Sequence, residues 1–279
     1  MVRHRIGNAL FYLMVIVVCL IVLLPFIVLV SYSLRTSQEI FSFDVGLIPQ
    51  RPSLEAYRSA LFSYRIGGSS FVDWARNSLV VCGIATAVSV FVAAMSGYAL
   101  SRFRFLGRGI LWFLIVLTQT VPWIVLLIPY YALLSDYGML ERLTSLSITY
   151  VAILTPVSTW LFTGFFQNMT AETEEAARID GCTHFGVFAR IVLPLSLPAM
   201  SAIALFSFVI GWGDFLFASV IVRNADKWTL PLGLTSFQGE HRILWAEIMA
   251  MSTLITIPVV VLFLYLQRNL VNLVAGSLK

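Results

Sequence analysis

Six stretches of about twenty residues, near 9–30, 78–100, 110–133, 147–166, 197–222 and 245–266, are predominantly apolar. A hydrocarbon core of about 30 Å takes about 20 helical residues to cross, and within it every backbone amide must be bonded inside the segment. The stretches therefore predict an all-α integral membrane protein with six transmembrane helices, organised as one transmembrane domain over 1–279. Composition agrees: 59% of the residues are hydrophobic and 11% charged, against about 25% charged in soluble domains. The first stretch is too long for a signal-peptide core and has no small-residue cleavage site after it, so it reads as an uncleaved span. An even number of spans puts both termini on one side of the membrane.

Charge is uninformative about partners and ambiguous about sidedness. Lys and Arg number 18 against 14 Asp and Glu, spread along loops, which argues against a nucleic-acid surface. The turn with Arg102, Arg104 and Arg108 and no acid marks a cytoplasmic face. Counted over all loops, the basic residues divide evenly between the two sides, because the first outer loop holds Arg35, Arg51, Arg58, Arg65 and Arg76. Cys19, Cys82 and Cys182 are scattered, and His4, His184 and His241 stand alone, so neither a disulfide framework nor a metal site is expected. No phosphate-cradling glycine loop and no nucleophile with a nearby base is present, which argues against an enzyme.

Within the spans, Pro122, Pro129, Pro156 and Pro258 should kink or shorten helices. Such breaks are tolerated where neighbouring helices or a water-filled cavity satisfy the freed carbonyls. Thr118, Gln119, Thr120, Thr155, Ser158 and Thr159 lie at mid-depth; they suggest a bundle around a pathway, or hydroxyls bonded to their own or a neighbouring helix. Asp214 is an ionisable group inside a span, a candidate pathway residue by default. Trp212 beside it, and Gln119 and Trp123 in the third span, are further candidates for solute contact. For Asp214 the competing reading is a bond to a neighbouring helix, and for Trp212 an interfacial position against lipid.

Between the fourth and fifth spans, residues 168–194 form the most informative loop. Thr170 can cap a helix with Glu172, Glu174 and Glu175 at its positive end, and Gly181 can close it in the left-handed conformation. Thr183 can cap a second short helix from His184 to Ile191, stopped by Pro194. The run Glu175-Ala176-Ala177, Asp180-Gly181 and Ile191-Val192-Leu193-Pro194 resembles the EAA loop of binding-protein-dependent ABC importers. Asn77-Ser78-Leu79, the run from Gly97 to Phe103, and Leu230-Pro231-Leu232-Gly233-Leu234 resemble the maltose-type carbohydrate importers, and among them the smaller permease partner. Two departures stand out: Thr170 where that family often has Pro, and Gly213 in Trp212-Gly213-Asp214 where it usually has Asn.

The resemblance implies a type I ABC importer permease, multi-pass in the bacterial inner membrane with cytoplasmic termini, forming half of the pathway for a sugar or sugar-like solute. It implies that Glu174, Glu175, Ala176, Ala177, Asp180 and Gly181 belong to the segment that couples to a cytoplasmic ATPase dimer. ATP and Mg would be bound by that ATPase, with no cofactor in this chain. The other partners implied are a second permease, an extracytoplasmic solute-binding protein and membrane lipid. By the same likeness, loop 223–244, in which Gly239 allows a turn and Gln238 and Glu240 offer polar groups, would reach into the binding protein, and the tail from Gln267 would insert between the ATPases. A permease for glycerol phosphate or a polyol, an ion-coupled secondary carrier, and a membrane scaffold without transport are the competing readings.

Overall fold

The computed structural model describes residues 2–42, 46–239 and 243–277. Among them, the regular structure is helical apart from isolated bridge residues, including the pair Gln238 and Ile243. The main helices are α1 (Val2–Ser33), α2 (Phe71–Arg102), α3 (Arg108–Thr120), α4 (Trp123–Asp136), α5 (Leu143–Asn168) and α6 (Glu172–Ile179). They continue as α7 (His184–Leu195), α8 (Leu197–Trp212), α9 (Leu216–Ile221), α10 (Leu230–Thr235) and α11 (Trp245–Ser277).

Helices α1, α2, α5 and α11 each hold a stretch long and apolar enough to cross a bilayer alone. The pairs α3–α4 and α7–α8 reach that length only together, bent by 101° and 75°. The stretch 110–133 is therefore two helices. Pro122 has no N–H to give and holds Val121 in the extended region (ψ 122°), which ends α3. Pro129, Pro156 and Pro258 instead lie inside continuous helices. Around Pro156 the hydroxyls of Thr155 and Thr159 donate to the carbonyls of Val151 and Thr155 at 2.6 and 2.8 Å, adding bonds on the turns where the proline removes one. The stretch 197–222 is also interrupted, leaving helix at Gly213 and resuming as α9 at Leu216.

The chain separates into two compact units, one of Met1–Ile66 with Leu234–Ile257 and one of Gly67–Gly233 with Pro258–Lys279. In the second, α2 packs along α5 and against α8. Ala85, Ser89, Ala93 and Gly97 recur every four residues on one buried face of α2. A Cβ on Gly97 would lie 2.7 Å from Phe162 Cβ, so only glycine permits this approach to α5. In lipid, where water does not squeeze helices together, such small-residue faces supply the attraction through close van der Waals contact.

In the first unit, the apolar side chains of α1 from Leu10 to Ile27 are exposed almost throughout. The segment after it is held by polar anchors. Arg35 is 1% exposed, bonded to Ser31 Oγ at 3.2 Å and paired with Glu39, and Ser33 Oγ meets the Tyr57 hydroxyl at 2.7 Å. Tyr64 stacks on Phe237 at 4.0 Å and donates to the Ser236 carbonyl at 2.6 Å.

Candidate coupling site and solute pathway

Helix α6 opens without the cap expected of Thr170: Ala171 occupies the N-cap and makes no side-chain bond. Its first turn instead carries Glu172, Glu174 and Glu175, whose charges oppose the positive end of the helix. The C-terminus closes as the glycine requires. Gly181 has φ +89°, Gly181 N–H donates to Arg178 O at 3.1 Å, and Cys182 N–H donates to Ala177 O at 3.0 Å, the double bond pattern of a Schellman end. Thr183 Oγ1 then accepts from Gly186 N–H at 3.1 Å and caps α7. Pro194 does not stop α7, which runs on to Leu195. A π turn over Phe188–Val192 directs Leu193 N–H to Phe188 O before the proline, and the bend into α8 falls at Ser196.

Buried and exposed faces of α6 divide the expected coupling residues. Glu174 is 6% exposed; its Oε1 accepts from Arg102 Nε at 2.9 Å with Nη2 at 2.8 Å, and its Oε2 accepts from the Tyr98 hydroxyl at 2.9 Å. Arg102 also donates to the Met169 carbonyl at 2.8 Å. Glu174 thus lashes α6 to the end of α2 and offers no group to a partner. Ala177 sits in the core with Tyr98, Phe166, Val187 and Phe188. Glu175, Ala176, Asp180 and Gly181 are exposed, as is Ile179 at 86%, a residue that sequence reasoning missed. An exposed isoleucine on an acidic amphipathic helix was the available signal.

The pathway candidates separate in the same way. Trp212 is 3% exposed and stacked on Phe208 at 5.1 Å, inside the core. Asp214 accepts the Tyr150 hydroxyl of α5 at 2.8 Å and the N–H groups of Phe217 and Ala218 at 3.4 and 3.1 Å, joining α5 to the start of α9. Gln119 and Trp123 flank the α3–α4 break and line a cleft of about 210 Å³ with Thr118, Tyr130, Pro156 and Phe217. The hydroxyls of Thr118 and Thr120 donate to carbonyls of their own helix, and Ser158 Oγ meets Ser207 Oγ of α8 at 3.2 Å.

Within loop 223–244 the structure brings together motifs far apart in sequence. Trp74 Nε1 donates to Ala225 O at 3.0 Å, and Asn77 Nδ2 donates to Asp226 O and Trp228 O at 2.9 and 3.0 Å. Ser78 Oγ accepts from Leu230 N–H at 2.8 Å. A Cβ on Gly233 would fall 2.2 Å from the Trp74 ring. Gln238 and Gly239 are exposed at the tip, next to the Gln238–Ile243 bridge, while Glu240 lies outside the described residues. Glu141, also unforeseen, holds a left-handed backbone (φ 58°) and accepts from the N–H groups of Arg223 and Asn224 at 2.9 and 3.1 Å.

The family described as binding-protein-dependent transport system inner membrane component matches residues 52–275. The inner membrane ABC transporter permease protein YcjP of Escherichia coli is 32% identical over 276 residues, covering 99% of this chain and 96% of that protein. The diacetylchitobiose uptake system permease protein DasC of Streptomyces coelicolor is 37% identical over 210 residues, 75% of this chain and 76% of its own. A crystal structure of a bacterial ABC transporter involved in the import of the acidic polysaccharide alginate shares the fold, with a TM-score of 0.78 and 22% identity, over 95% of this chain and 96% of that one. With a match across most of its length, an all-helical fold and apolar helices of spanning length, the chain belongs to the binding-protein-dependent inner membrane components, multi-pass ABC importer permeases without an ATPase site of their own.

Proposed function

We propose that this chain is one of two permeases of an importer for a sugar or sugar-like solute, driven by a cytoplasmic ATPase dimer that binds ATP and Mg. The observation that carries this reading is the two-faced α6. Its inner face is fastened to α2 through Glu174, Arg102 and Tyr98, and its outer face presents Glu175, Ile179 and Asp180. A helix bonded to a span on one side and bare on the other can pass a displacement of a docked protein into the membrane. The solute class is supported by relatives that serve carbohydrate import, one named for diacetylchitobiose and one for alginate.

Both termini then lie in the cytoplasm with α6 and α7, and loop 223–244 faces the solute-binding protein. Reconstitution of the full chain with its second permease, ATPase and binding protein tests the reading. Uptake of a labelled oligosaccharide should require ATP and continue when ionophores collapse the ion gradients. Uptake that stops with the gradients and ignores ATP would identify an ion-coupled carrier instead.

A further inference from the structure

The turn between α2 and α3 holds a groove that the coupling and pathway assignments do not use. It has a volume of about 190 Å³ and is lined by Leu100, Arg108, Gly109, Trp112, Thr163 and Gln167, from the end of α2, the start of α3 and the end of α5. Three of these are hydrogen-bond donors: the Arg108 guanidinium, the Trp112 indole N–H and the Gln167 amide. Among the described residues none of the three side chains has a hydrogen bond or ion pair. No carboxylate lines the groove. Glu174 of α6 is already taken by Arg102 and Tyr98, and no acid occupies the first turn of α3.

A guanidinium gathered with neutral donors and no carboxylate calls for a ligand that brings negative charge, and its planar fork suits phosphate oxygens in particular. Position identifies the source. Two spans end here and another begins, so the groove lies at the membrane boundary, on the same side as α6. The adjoining turn exposes Phe105 and Leu106, apolar side chains suited to the acyl region, and Trp112 is the residue type favoured at headgroup depth. Arg104, also exposed, adds positive charge that repels the choline or ammonium of a zwitterionic lipid. We propose that this groove binds the phosphate of an anionic phospholipid headgroup in the leaflet on the α6 side, with Arg108 as the charged ligand and Trp112 and Gln167 as its neutral donors.

Native mass spectrometry of the full chain, given equimolar phosphatidylglycerol and phosphatidylcholine, tests this. Wild type should retain phosphatidylglycerol several-fold over phosphatidylcholine. Arg108→Gln should lower that retention about tenfold, the worth of one charge-assisted hydrogen bond. Arg108→Lys should fall between, since it keeps the charge and loses the fork, and Trp112→Phe should weaken retention several-fold with the ring in place. Equal phosphatidylglycerol retention by wild type and Arg108→Gln would overturn the assignment. So would displacement of the lipid by an equal concentration of inorganic phosphate, which would mark a free-phosphate site. Loss of the lipid when the second permease is added would also overturn it, by showing the groove to be a subunit contact.

Discussion

Glu174 accepts from Arg102 and Tyr98 inside the bundle, while Glu175, the next residue, faces solvent from the same turn. Glu174→Gln keeps the shape and removes the charge, weakening a buried pair by about 1–3 kcal/mol. Amide hydrogen exchange across 172–182 in the isolated permease should therefore accelerate about fivefold or more. Glu175→Lys should leave exchange unchanged and reduce the ATPase retained on membranes; the reverse pattern would exchange their roles. The glycines differ by the same logic. Gly181→Val places a β-branched residue at φ +89°, at a local cost of about 1–3 kcal/mol, and uptake should collapse although the protein still inserts. Gly233→Ala drives a methyl into the Trp74 ring and should destabilise by about 1–3 kcal/mol, read as a lower unfolding midpoint in detergent. Gly213→Ala, whose new Cβ would meet only Val209 O at 3.5 Å, should leave the midpoint unchanged.

At the scale of elements, the two helix breaks differ in what fills them. Irregular backbone at membrane depth persists where it lines a cavity, and the α3–α4 break opens onto the cleft of Gln119, Trp123, Tyr130 and Phe217. The α8–α9 break is different, because Asp214 ties its N–H groups to Tyr150 and fills it with protein. Aromatic rings that line an open cleft can stack on a sugar; a ring packed in the core cannot. Trp123→Ala should then lower uptake at limiting solute several-fold with the unfolding midpoint intact. Trp212→Ala should instead cost about 3–5 kcal/mol of stability by leaving a cavity, which the unfolding midpoint would show. Uptake lost through Trp212 alone, with stability unchanged, would move the pathway to α8.

For the whole molecule, sidedness was the quantity that charge counting left even, and the proposed coupling to a cytoplasmic ATPase would require α6 to be inside. Cys182 is half-buried, so Ile179→Cys, at a position 86% exposed, makes the better reporter. In a Cys182→Ser background, an impermeant maleimide should label it in inside-out vesicles and not in spheroplasts; labelling from outside would invert the topology. In loop 223–244, deleting Gln238-Gly239-Glu240 should abolish stimulation of the ATPase by loaded binding protein and spare basal hydrolysis. Unchanged stimulation would reduce loop 223–244 to a connector.

What the sequence determined by itself is local or set by the solvent. Bilayer thickness and the need to bond every backbone amide make the apolar stretches legible as helices, Gly181 announces a left-handed helix end, and Thr183 announces a cap. The motifs from Gly97 to Phe103 and around Glu175 were legible too, but only as separate resemblances. Their meeting through Arg102 and Glu174, 72 residues apart, was decided by tertiary structure, as was that of Asn77 and Trp228 across 151 residues. Periodicity could not decide which of two adjacent glutamates turns inward, which of four prolines breaks its helix, or whether Asp214 faces solute or Tyr150. For Glu174 and Asp214 the outcome depends on which donors a distant segment brings within about 3 Å, and that distance exists only once the helices have packed.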